Sequence, residues 1–409
     1  SADSHHSANA MVVGPDGWLY WSRGIFHVAA METPTRTYHS GASGVHRFNP
    51  RTFEMEFHFP IGPNPHGDFF DQWGFQFAND GTSGTGSYVN IGKGQGNKQW
   101  FEKQWRPVSA TGSLSSSHFP ERHQNNFLIC NCIGFLGILQ SEVSYDGADI
   151  TAKAVTPVLD SSDPNFRPTD IEIGGDGALY VSDWANAIIG HMQHNMRDPN
   201  RDAKHGRIYR VSAIGRDLLK SVRLKGKPIF EVCDAFYAKE NATRYRARLE
   251  LSGRDSAETV AAVSEWAARR DVSKTDDAQA LLECLWVHEE HRVPNAELLK
   301  TVLKSAEPRV RAAAIRTLGH WGDQVDGWDA ILIAAARDES ALVRAEAVKS
   351  ALSFEGIPAA EVIFEVATQK MDAELDTVLK YAKGQIKVDS LINEAVASGT
   401  PLSKAARAY

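Results

Sequence analysis

The chain has 409 residues, enough for two or three domains that each bury a core. Its net charge of −7 and the lack of a basic run argue against nucleic-acid binding driven by phosphate neutralisation. No apolar run reaches membrane-spanning length, no signal peptide opens the sequence, and the four cysteines (Cys130, Cys132, Cys233, Cys284) include no Cys-x-x-Cys-His haem-attachment motif.

From the N-terminus, Ala10-Met-Val-Val-Gly-Pro-Asp-Gly-Trp-Leu-Tyr-Trp-Ser22 reads as a strand, a tight Gly-Pro-Asp-Gly turn and a second strand. The phrase returns as Thr169-Asp-Ile-Glu-Ile-Gly-Gly-Asp-Gly-Ala-Leu-Tyr-Val-Ser182, with a third strand at Arg207–Val211. Such a repeat is the signature of a β-propeller. Four blade-like units are expected, at about 9–59, 60–105, 106–160 and 165–212. A strand Trp73 to Asn79 opens the second, and paired strands over Asn126 to Gln140 supply the third. Cys130 and Cys132 lie on a strand and point to one face, as small buried hydrophobes. A closed disc needs more blades, and Ser1 stands almost directly before a strand, so upstream blades are expected to lie outside this chain.

After about Lys227 the composition turns to Ala, Leu, Glu, Arg and Val at helical spacing. The segments beginning Tyr245-Arg-Ala, Ala278-Gln-Ala, Val310-Arg-Ala, Val343-Arg-Ala and Thr377-Val-Leu recur every 32 to 34 residues. They are similar to HEAT repeats, whose α-solenoids are mostly packing and partner surfaces. The expected architecture is therefore β then α: an incomplete β-propeller of about four blades over residues 1–227, then a HEAT-like α-solenoid over 228–409.

In a blade, the loop leading into the first strand and the loop between the second and third strands share one face of the disc. That rule groups His5, His6, Asn9, Asn64, His66, Asp71, Asn165 and Arg167 with Arg23, Lys93, Lys98, Asp183, Asn186, His191 and His194. Arg and Lys pair carboxylates, while amides and imidazoles read hydroxyls, so the ring suits an anionic or polyhydroxylated ligand. A solvated polar rim is the plain alternative. The His191-x-x-His194 pair, with His205, could hold a metal, or could order the loop through hydrogen bonds. Gly92-Lys-Gly-Gln-Gly96 lacks the ending of a phosphate loop, and is read as carrying Lys93 and Lys98 toward this face.

Residues 1–212 resemble the later blades of the glucose/sorbosone dehydrogenase-like propellers of planctomycetes and verrucomicrobia, a family described as membrane-bound dehydrogenases. The marks are His5-His-Ser-Ala-Asn9 before Gly14-Pro-Asp-Gly17, Lys93-Gly-Gln-Gly-Asn-Lys-Gln-Trp-Phe101, Ser117-His-Phe-Pro-Glu121, Asp163-Pro-Asn-Phe-Arg-Pro168 and Ile189-Gly-His-Met-Gln-His194. Residues 235–409 resemble the HEAT-like region that follows in the same proteins. The resemblance implies a periplasmic or secreted sugar dehydrogenase using pyrroloquinoline quinone and calcium, with a cytochrome or other electron acceptor. It implies His6, eight residues before Gly14, as the base, with His5 beside it and Arg167 polarising the developing alkoxide. Lys93, Lys98, Arg167, Asp183 and Asn186 become candidate cofactor contacts, and His191, His194 and His205 candidate metal ligands. The family's C-terminal haem domain has no counterpart in this chain. Two other classes fit the residues: a non-catalytic carbohydrate- or protein-binding propeller with a HEAT docking arm, and a metal-dependent hydrolase or lyase.

Overall fold

A computed structural model of the chain describes residues 7–26, 28–81, 85–88, 99–102, 108–187, 198–199, 201–202 and 204–408. Among these residues the N-terminal half forms five antiparallel sheets, a two-stranded hairpin and the four blades of a propeller segment. Blade 1 is β1 (Asn9–Val13), β2 (Leu19–Arg23), β5 (Gly44–Phe48) and β6 (Met55–Pro60), with a hairpin β3 (Ala29–Glu32) and β4 (Thr37–Ser40) inserted between β2 and β5. Blade 2 is β7 (Pro65–Phe70), β8 (Gln76–Asp80) and β9 (Thr85–Tyr88). Blade 3 is β10 (Val108–Leu114), β11 (Asn126–Asn131), β12 (Gly137–Asp146) and β13 (Asp149–Asp160). Blade 4 is β14 (Pro168–Ile173), β15 (Leu179–Asp183) and β16 (Arg207–Val211). The first strands β1, β7, β10 and β14 stand side by side, as the innermost strands of a propeller do.

The repeated Asp-Gly-x-Leu-Tyr phrase has a local cause. Asp16 accepts from the Trp18 N–H at 3.2 Å and from the Tyr20 hydroxyl at 2.7 Å. Asp176 does the same with the Ala178 N–H at 3.1 Å and the Tyr180 hydroxyl at 2.9 Å. The glycine after each aspartate, Gly17 and Gly177, has φ +78°, which a side chain would strain. One carboxylate thus closes the turn and pins the second strand to it. Blade 2 departs from expectation: it opens on Pro65–Phe70, and Trp73 lies in the turn after that strand. Its turn is Asp71-Gln-Trp-Gly74, with the carboxylate first, accepting from the Trp73 and Phe75 N–H groups at 2.9 and 2.8 Å. Without the repeated phrase the turn passes for the strand itself.

The C-terminal half is helical: α1 (Ile229–Cys233), α2 (Asn241–Ser252), α3 (Ser256–Ala267), α4 (Thr275–Glu290), α5 (Ala296–Val302), α6 (Pro308–Trp321), α7 (Trp328–Ala336), α8 (Ala341–Ala351), α9 (Gly356–Ala367), α10 (Ala373–Ile386), α11 (Val388–Ser398) and α12 (Lys404–Ala408). The recurring phrases fall on α2, α4, α6, α8 and α10, and α4, α6, α8 and α10 stack in series. An arginine at the same place in the first turns of α2, α6 and α8 closes the loop before its own helix. Arg244 donates to Ala238 O and Lys239 O, Arg311 to Ser305 O and Ala306 O, and Arg344 to Asp338 O and Glu339 O. Carbonyls left over between helices gain a charged donor at the same repeat position each time.

The helices pack against the end of the blades where the first-to-second-strand turns lie. Arg316 donates to Gly74 O at 2.7 Å, Gln279 to Gln72 O at 3.1 Å, and the Val13 N–H to Tyr245 Oη at 3.3 Å. One apolar core crosses the junction, joining Phe77, Trp100 and Phe127 of blades 2 and 3 to Trp266, Leu285 and Trp286 of the helices. The opposite end of the strands is left to the loops.

Candidate functional site

At that opposite end, blade 4 gathers a polar cluster. The Asp183 carboxylate accepts from the backbone N–H of Arg167 at 2.7 Å and of Ala185 at 2.8 Å, and from Arg207 Nε at 2.7 Å. Arg207 reaches on to Asp163 at 2.6 Å. Ala185 carries φ +53°, a strained value for a non-glycine residue, held by its bond to Asp183. Arg167 is buried, with guanidinium bonds to Phe166 O at 2.7 Å and Ala187 O at 3.2 Å, and its Nε has no partner. Asn186 is buried beside them. Beyond lies Trp184, partly exposed, with the Arg201 guanidinium stacked 4.2 Å from its ring.

The structure thus brings Arg167, Asp183 and Asn186 together. His205 is exposed and pairs with Asp202 at 2.9 Å. His5, His6, Lys93, Lys98, His191 and His194 lie outside the described residues. Asp71, grouped with this face from the sequence, belongs to the other end of its strand: it follows β7, in the turn toward β8, and is bonded by Tyr145 Oη. The same inverted reading of blade 2 caused both misplacements. Cys130 and Cys132 are buried and unbridged, and burial pushes the Cys132 thiol up to about 11.

The described residues can be tested against quinone and calcium. Asp183 serves as a tie within blade 4, where both its oxygens accept hydrogen bonds. Arg167 fits as an anion contact, since Nη1 and Nη2 each make one bond and Nε makes none. Among the described residues no three His, Cys, Asp or Glu side chains gather to hold a metal ion.

A second feature was not foreseen from the sequence. The innermost strands of all four blades line a groove of about 570 Å³, floored at one end by Asn241, Tyr245 and Arg248 of α2. Asp68, Asp71, Asp170 and Glu172 face it, with Ser109, Thr111 and Ser113 between. Burial holds the Asp68 carboxyl up at about 8, against the two hydrogen bonds it accepts from Gln76 Nε2. Alternation on β10 (Ser109, Thr111, Ser113) and β14 (Asp170, Glu172) was the available signal, because every second residue of an innermost strand projects the same way.

Comparison with known proteins gives two matches. Residues 103–214 match a domain of unknown function, DUF7133, a stretch that contains blades 3 and 4. Residues 295–378 match HEAT repeats, from the start of α5 into α10. No curated protein matches the chain. No helix among the described residues is long and apolar enough to cross a membrane.

Proposed function

We propose that this chain is a recognition platform, in which propeller blades bind a polyhydroxylated small molecule and a HEAT arm, locked to the blades, docks a protein partner. The observation that carries the reading is the groove along the innermost strands, where carboxylates alternate with hydroxyls from three blades. Carboxylates and hydroxyls accept and donate to vicinal OH groups, and the Tyr245 ring adds an amphipathic wall. The arm is read as a partner surface because stacked helical repeats present long continuous faces.

The resemblance carries a finer proposal: a periplasmic or secreted sugar dehydrogenase, with a cytochrome or other protein as electron acceptor. Pyrroloquinoline quinone with calcium would supply hydride acceptance when bound. Of this chain's residues, His6 would take the hydroxyl proton, and Arg167 would offer its free Nε to an anionic oxygen.

Two titrations separate these readings. Calorimetry with a panel of monosaccharides is expected to show a saturable binding component that disappears in Ser113→Trp, which fills the groove. Absence of binding to any sugar would overturn the platform reading. Tryptophan fluorescence with pyrroloquinoline quinone and calcium tests the finer proposal: quenching that weakens in Arg167→Ala supports it, and an unchanged spectrum removes it while leaving the platform.

A further inference from the structure

A different cavity lies at the junction of the two halves. Two adjoining chambers of about 120 and 280 Å³ share Asp16, Arg47, Glu289, Gly319, His320 and Ser353 in their walls. Blade 1 supplies one side, with Asp16, Tyr20 and Arg47, and α4, α6 and α8 supply the other. Trp286, Phe70 and Phe75 form apolar walls of the smaller chamber. The exposed residues Arg292, Gln324 and Ser353 stand at the mouth of the larger.

Two features of the walls indicate what they would hold. First, the charges are paired among themselves. Arg47 meets Asp16 at 3.5 Å and also Glu56, Glu346 meets Arg316 at 3.2 Å and also Lys349, and Glu289 meets His320 while accepting from Thr317 Oγ1 at 2.6 Å. A strongly charged ligand would have to break one of these pairs at low dielectric, which is costly. Second, Arg316 and Trp321, which line the smaller and the larger chamber, each carry a buried donor with no acceptor in the protein, Arg316 Nη2 and Trp321 Nε1. A buried donor left unpaired is destabilising, so both favour an oxygen-bearing ligand. The HEAT period places them there: Arg316 and Lys349, Thr317 and Ser350, and His320 and Ser353 are equivalent positions of successive repeats on α6 and α8, or just after α8.

We infer that this cleft is a binding site for a neutral, polyhydroxylated molecule of monosaccharide size, its hydroxyl oxygens taken by Arg316 Nη2 and Trp321 Nε1 and its apolar face laid on Trp286 and Phe75. The ligand's own hydroxyls donate to Asp16 and Glu289. The site is separate from the groove and from the loop face, and does not rest on the function proposed for them. Its position between blade and arm means that occupancy stiffens the junction.

The test is calorimetry on the full chain with neutral monosaccharides and sugar alcohols, alongside citrate and glycine as charged probes. Saturable binding of a neutral polyol is expected. Ser353→Trp, at an exposed mouth position, is expected to weaken it more than tenfold, and Trp321→Phe, which removes one donor and keeps the ring, by about fivefold. Ser113→Trp, which fills the other groove, should leave the component weakened by the cleft variants unchanged. Thermal melts of each variant report whether the fold is kept, and Trp321→Phe carries the test if Ser353→Trp melts early. Binding that survives both cleft variants, preference for citrate or glycine, or no polyol binding at all would overturn the inference. Binding abolished by Ser113→Trp alone would overturn it too, while upholding the groove.

Discussion

The carboxylate of Asp183 collects three hydrogen bonds from three parts of blade 4: the start of β14, the loop after β15, and the first residue of β16. Its side chain is fully buried, whereas Arg207 keeps about a third of its side chain in solvent. Truncation would strand two backbone N–H groups and one guanidinium, so Asp183→Ala should cost about 2–4 kcal/mol, read as a lowered urea midpoint. An unchanged midpoint would return Asp183 to the pool of ligand-binding residues. His58 makes a different residue-scale case. It lies inside the junction cleft, its ring 5.2 Å from that of Tyr20, with Nε2 3.1 Å from Gln76 Oε1. Burial, then the charge of Arg47, pushes its pKa from 6.5 down to about 3. The unfolded chain therefore takes up this proton first as pH falls. The stability held by neutral His58 is complete above pH 6.5 and is lost between 6.5 and about 3. Wild type should lose stability relative to His58→Gln over that window, by at most about 1.4 kcal/mol per pH unit. Parallel pH profiles for the two proteins would contradict the assignment.

Among the elements, α2 and α4 are joined by an ionic cluster. Glu283, with no exposed side-chain surface, meets Arg244 at 3.0 Å and also Arg248, both nearly buried. Arg244 is at the same time the arginine that closes the loop before α2. Glu283→Ala would leave two buried guanidinium groups short of their counter-ion and should cost about 3–5 kcal/mol, whereas replacing all three by apolar residues of similar volume should cost far less. Equal losses for the two changes would mean that packing volume, not charge, decides this contact. At this scale the sequence was most readable where a motif has a local cause. The Asp-Gly-x-Leu-Tyr phrase fixes its turn within five residues, and the Val-Arg-x-x-Ala phrase fixes the loop just before its helix, so both betray their elements. Blade 2 was misread because Asp71-Gln-Trp-Gly74 closes its turn by another route, partly through Tyr145 of blade 3. The junction cleft was not readable at all, because Asp16, His320 and Glu289 come to line one cavity only once two different repeats have been packed together.

For the whole molecule, the change of composition near Lys227 marks a change of element type, yet the apolar core does not stop there. Trp100, Phe127 and Ile150 of the blades belong to one buried cluster with Trp286 and Leu285 of α4 and Val310 of α6. Polar bonds cross the same junction, including the Ala148 N–H to Asp372 at 2.9 Å and Arg51 to Ser252 O at 2.6 Å. Neither half can open without exposing apolar surface of the other, so the elements at the junction should unfold as one cooperative unit. Hydrogen exchange with increasing denaturant tests this, because peptides from β8 and β11 and peptides from α4 and α6 report separately. They are expected to lose protection at one common midpoint. Phe127→Ala, a blade residue in the shared cluster, should lower that midpoint for the helical peptides as much as for the strands, at a cost of about 3–5 kcal/mol. If the helical peptides kept the wild-type midpoint in Phe127→Ala, the arm would be an autonomous solenoid resting on the blades. The junction cleft would then be a seam that opens freely, and its ligand would have to close it. A shared midpoint instead makes the cleft a preformed cavity, so that a ligand bound there raises the stability of blades and arm together.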